Sequence, residues 1–155
     1  MKTPVLPIRL MIILPLLLSL TMLQAQEKMK FGKIDPADLK MTVCPFDSSA
    51  DAMVLGDFGQ TYFTYDDQEG FMLIFEHHIR IKIFTKSGYH KADFEIPYFH
   101  IEHDREDIVN LKAVTYNLEN GKITETSVKS ESIFNEAVDA YWENKKISFP
   151  GVKEG

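Results

Sequence analysis

The side chains able to do chemistry in this 155-residue chain are one cysteine, five histidines and twenty-three carboxylates. A thiolate beside a positioned histidine and a carboxylate performs acyl transfer. Cys44 lies in Thr42-Val43-Cys44-Pro45, where proline supplies no amide hydrogen. Cysteine nucleophiles are activated by the amides of a helix start, so Cys44 reads as a small, partly buried apolar residue. His77 and His78 are neighbours in an extended run and point to opposite faces, so they cannot share one ion. His77 falls on the apolar side and reads as a core-edge histidine. His100-Ile101-Glu102-His103-Asp104, with Glu106 and Asp107 nearby, could make a loop-borne metal site. Its His-x-x-His spacing has no helix to converge the rings, and a solvated loop is the expectation. Asp47, Asp51, Asp57, Asp66, Asp67 and Glu69 lack the alternation and central glycine of a calcium loop and read as acidic surface. No residue is therefore assigned a catalytic, cofactor-binding or metal-ligating role, and no cofactor is expected.

Aromatic residues offer a different chemistry, because a ring stacks on apolar surfaces while tyrosine and tryptophan keep a polar handle. Tyr62, Phe63, Tyr65, Tyr98, Phe99, Tyr141 and Trp142 could form a docking face but read mostly as core, with Tyr98 and Phe99 after Pro97 the pair to check for exposure. The chain has no glycine-rich phosphate loop, no Gly-x-Ser-x-Gly elbow and no basic patch interleaved with aromatics. Its formal charge is −6, which argues against wrapping nucleic-acid phosphates. A composition of 45% hydrophobic and 26% charged residues, with mean hydropathy −0.16, is that of a globular chain. One cysteine permits no internal disulfide framework, so packing must hold the fold.

Residues 1–25 read as a signal peptide. Lys2 and Arg9 form a basic start, Leu10 to Leu23 an apolar run broken only by Pro15, Ser19 and Thr21, and Ala25 a small residue for cleavage. Fourteen residues fall short of the ~20 that a spanning helix needs, so no stable membrane span is expected after cleavage. Cys44 lies too far downstream for lipid attachment. Removing the leader takes away two basic residues and no acidic one, leaving 15 basic against 23 acidic residues and a charge of −8.

In the mature region, 26–155, Asp35-Pro36-Ala37-Asp38 is a helix start, with room only for a short helix before Pro45. Ala52 to Leu55 and Thr61 to Tyr65 are strand-like, with Gly56 and Gly59 between them. Asp66 to Gly70 is a turn. From Phe71 to Thr85 the pattern has period two: Phe71, Leu73, Phe75, His77, Ile79, Ile81 and Ile83 share the face expected to be buried. Glu76, His78, Arg80 and Lys82 share the face expected in solvent, so Lys82→Asp is expected to change little and Ile81→Asp to cost roughly 3 kcal/mol or more.

Lys86-Ser87-Gly88 marks a turn, and a strand from Ala92 to Ile96 is expected to stop at Pro97. Ile108 to Leu118 reads as extended, Asn120-Gly121 as a tight hairpin turn, and Lys122 to Lys129 as the returning strand. Ser132 to Glu143 fits both helical and extended spacing. Ile147 to Phe149 is strand-like. The fold class is all-β, an antiparallel β-sandwich-like domain with one or two short helices. One sheet is expected to join 71–85, 108–118, 122–129 and 147–149, and to lack a strand at its C-terminal end.

Several segments resemble, in order, the domain of unknown function that precedes a transglutaminase-like core in exported bacterial proteins. They are Phe31-Gly32-Lys33-Ile34-Asp35 with Leu39-Lys40-Met41, Asp47 to Ala52, His78 to Ile83, Ile96-Pro97-Tyr98, Tyr116 to Lys122, and Phe149 to Gly155. The resemblance spans roughly 31–155 and rests on their succession, since no single piece is a chemical motif. It implies an exported β-sandwich-like module without established activity, whose parent continues through further strands into a papain-like Cys-His-Asp core.

The expected function is that of a non-catalytic accessory or interaction module, the N-terminal portion of a transglutaminase-like envelope protein. Its expected partners are proteins, the cell envelope and a downstream transglutaminase-like domain. It is placed in the periplasm or at the outer envelope. The alternatives are part of a cysteine-dependent transglutaminase or peptidase whose core lies beyond residue 155, and a free-standing periplasmic binding protein.

Overall fold

Asp35 accepts a hydrogen bond from the Ala37 amide at 2.8 Å and so caps α1, Pro36–Lys40. Proline at the first helical position removes one of the donors that a helix start leaves unpaired. The computed structural model describes residues 29–101 and 104–155; the segment expected to be a signal peptide, 1–25, lies outside the described residues.

Among the described residues all other regular structure is strand, apart from two short 3-10 turns, and every ladder is antiparallel. β1, Ala52–Asp66, and β2, Gly70–Ile83, form a long two-stranded ribbon. Gly56 and Gly59 do not interrupt β1. Instead the register shifts between Val54 and Gly56, a bulge that inserts one extra residue without ending the pairing. Asp66 closes the tip by accepting the Gln68 and Glu69 amides, which hold its carboxyl below the usual carboxylate range.

Residues Lys86–Ala92 form a 3-10 turn leading into β3, Asp93–Ile101. β3 runs through Pro97 rather than stopping there. Proline removes one ladder donor, but on one side β3 pairs with β8, and on the other β4, Asp104–Arg105, reaches only His100 and Ile101. Pro97 thus belongs to a stretch with one open side, where a strand tolerates proline.

β5 is Val114–Glu119 and β6 is Lys122–Ser127. The expected strand from Ile108 starts six residues late, after a segment in which Asn110 has φ 54°. Asn120 and Gly121 take φ 50° and 76°, the left-handed pair a tight hairpin requires. The ambiguous segment is extended: a 3-10 turn, Ser130–Ser132, precedes β7, Ile133–Ala137, which pairs with β8, Trp142–Ser148. Asp139 closes this hairpin by accepting the Tyr141 and Trp142 amides.

The all-β antiparallel class with short helices holds, but the strands expected in one sheet are divided among three. These are β1-β2, β4-β3-β8-β7 and β5-β6. The C-terminal residues tie them together. Phe149 donates to Ala92, Gly151 accepts from Asn117, Lys153 pairs with Glu119, and Tyr89 donates to Glu154. Lys82 then donates to the Gly155 and Leu39 carbonyls. Among the described residues the buried apolar core is small: Cys44, Phe84, Tyr98 and Ile147.

Candidate functional site

The residues singled out for chemistry are dispersed. Cys44 is 3% exposed, and its thiol lies 3.5 Å from the Met53 sulfur, a soft apolar contact. His77 is exposed rather than at a core edge, and its Nε2 sits 2.6 Å from Asp57. On the opposite face His78 donates from Nδ1 to the Met29 carbonyl. Glu102 and His103 lie outside the described residues. Among the described residues no three His, Cys, Asp or Glu side chains converge as a metal site would require. Asp47 and Asp66 instead bond to groups two or three residues onward, each closing its own turn.

His100 does line a cavity of about 250 Å³, together with Tyr98, Arg105, Glu106, Glu143 and Lys145. Tyr98 is buried; its hydroxyl donates to Glu143, and that bond raises the phenol pKa. Phe99 packs edge-on against Trp142 at 5.7 Å. Glu106 accepts the Phe99 amide and Lys145 lies 5.8 Å from the Tyr98 ring centre. The polar groups around this cavity are largely engaged with one another, and its volume is below the ~300 Å³ at which ligand pockets usually begin.

The larger unsatisfied surface is on the ribbon. Cross-strand partners in an antiparallel pair share a face. One face of β1-β2 therefore carries, from tip to base, Tyr65 with Phe71, Phe63 with Leu73, Thr61 with Phe75, Gly59 with His77 and Asp57 with Ile79. The base of that face is partly covered, since Ile79, Ile81 and Ile83 are half-buried. Toward the tip it is open: Phe71 is 82% exposed, Phe63 75%, Phe75 66%, Leu73 62% and Tyr65 62%. Tyr65 and Phe71 meet edge to face at 5.1 Å, and Phe75 stacks on the His77 ring at 5.8 Å. Among the described residues neither long edge of the ribbon pairs with another strand.

The reverse face is covered more fully at its base. Arg80 donates to the Lys33 carbonyl at 2.7 Å, and Lys82 is 7% exposed beneath α1 and the C-terminus. Burial lowers the Lys82 pKa, and the charge of Asp38 partly opposes that shift. The expectation that Lys82 faces solvent is overturned, as is the expectation that Phe71, Leu73 and Phe75 are core. Alternation identified two faces correctly, but which face is covered depends on residues 29–33, α1 and the C-terminal residues, which the strand's own pattern does not contain. Tyr62, Tyr141 and Trp142 are also exposed rather than core.

The chain matches no protein-family model, no curated protein and no solved structure.

Proposed function

We propose that this chain is a non-catalytic, exported interaction module, the N-terminal portion of a transglutaminase-like envelope protein. The observation that supports an interaction role is the open apolar face of the ribbon. Large contiguous apolar patches on proteins mark contact with another macromolecule or with a membrane, and this one carries five large side chains on a regular, well-paired scaffold. The ordered succession of segments from Phe31 to Gly155 supports the parentage, and Lys2 to Ala25 supports export.

Two observations test the reading. N-terminal sequencing of the protein from fractionated cells is expected to find it in envelope material, beginning at or close to Gln26; an intact Met1 in the cytosol overturns export. The reading frame past codon 155 is expected to lead into a Cys-His-Asp core, and a frame without one overturns the transglutaminase-like parentage.

A further inference from the structure

Sheets become stable by laying an apolar face against a second layer about 10 Å away. Among the described residues no such layer covers the tip half of the β1-β2 ribbon, and Tyr65, Phe63, Phe71, Leu73 and Phe75 are exposed. We propose that the second layer is the same face of another copy of this chain, the two ribbons stacking antiparallel about a two-fold axis through the Phe63–Leu73 level. The proposal deepens the interaction-module reading by naming the partner.

Three features of the face fit a copy of itself. The first is area. At roughly 200 Å² per large side chain, the five exposed residues leave about 700 Å² uncovered, so two copies together remove about 1,400 Å², within the ~1,200–2,000 Å² of stable interfaces.

The second is relief. The Tyr65–Phe71 level stands tall with two rings. At the Thr61–Phe75 level one partner is small, and the Phe75 ring lies down beside Gly59, where a β-carbon would come within 3.1 Å of it. Antiparallel stacking puts the tall level of each copy on the shallow level of the other: Tyr65 over Thr61, Phe71 over Phe75, and Leu73 over its own counterpart. A two-fold interface is self-complementary in this sense. Stacking tip on tip would instead set tall against tall.

The third is charge. Asp66, Asp67 and Glu69 make the tip acidic and exposed. Tip-on-tip stacking would gather six carboxylates, a like-charge arrangement that costs affinity. The antiparallel arrangement moves the two tips apart and brings each to the level of the other copy's His77, whose ring is paired with Asp57.

The test uses the chain as recovered from the cells that express it, since Cys44 is buried and gives little background in thiol cross-linking. Leu73→Cys is expected to form a disulfide-linked dimer readily under mild oxidation. Phe46→Cys, more exposed but off the ribbon, is expected to form at least ten-fold less. Sedimentation from 1 to 100 µM is expected to show a dimer that Phe71→Ser/Leu73→Ser converts to monomer with an unchanged circular dichroism spectrum. A monomer throughout that range overturns the second copy, as does equal cross-linking at 73 and 46. So does a dimer that the double variant leaves intact. An envelope-located protein that stays monomeric separates failure of this proposal from failure of the export reading.

Discussion

Lys82 shows how a single residue inverts the sense of a strand. Its ammonium is buried and satisfied by two carbonyls, Leu39 and Gly155, so it joins α1 to the C-terminal residues. A carboxylate there would face two acceptors with no donor, and Lys82→Asp is expected to cost roughly 3 kcal/mol or more. Lys82→Met keeps the aliphatic length, loses two hydrogen bonds and avoids burying a charge, for a net loss of about 1–2 kcal/mol. Urea denaturation of the three proteins checks the order. The pH dependence has a definite sign: because the folded pKa lies below 10.5, the unfolded chain holds this proton more tightly. Stability from this group therefore rises as pH climbs from the lowered pKa toward about 10.5, and falls as pH drops through the folded value. The difference between wild type and Lys82→Met is expected to show that rise. A flat difference would mean that the ammonium is solvated in the folded state.

At the scale of elements, the base of the ribbon is held by a clasp around Asp51. Its carbonyl accepts the Phe84 amide at 2.8 Å and the Thr85 amide at 3.3 Å, and its carboxylate accepts the Thr85 hydroxyl. Gly88 closes against the same carbonyl so tightly that a β-carbon would lie 2.5 Å from the Asp51 oxygen. Gly88→Ala must push backbone against backbone, and about 2–3 kcal/mol of destabilisation is expected. Gly121→Ala pays only for a left-handed φ in open space, about 1–2 kcal/mol. Thermal melts of both variants, with the larger drop at position 88, check the clasp.

What could be read in the sequence divides along the same lines. Turns with local chemistry were legible: Asp35-Pro36, Asp66 to Gly70 and Asn120-Gly121 all stand where their residue types put them, and β2 and β6 end within two residues of expectation. Features set by distant neighbours were not. Pro97 stays in a strand because β4 is short, the bulge near Leu55 leaves no mark in the pattern, and Ser132 to Glu143 satisfied both periods until β8 supplied a partner. The candidate interaction face was legible as an apolar face and misread as a buried one, because coverage is a property of what packs on it.

For the whole molecule, the balance of buried and exposed apolar surface sets the behaviour. The described core contains four buried apolar residues, while the ribbon alone leaves seven large ones exposed, five of them on the open tip face. A domain of this size that buries so little is expected to be marginal on its own, and two open ribbon edges add a risk of uncontrolled pairing. If a second copy covers the ribbon, folding and association are linked, and stability depends on protein concentration. A hundred-fold increase, from 1 to 100 µM, is then worth about 2.7 kcal/mol per mole of dimer by mass action, and the urea midpoint is expected to move upward accordingly. The Phe71→Ser/Leu73→Ser variant, with no interface to gain, is expected to unfold at one midpoint at both concentrations, close to that of the dilute wild type. A wild-type transition that is sharp and independent of concentration would mean that the fold draws its stability from within one chain, with the apolar face spectating.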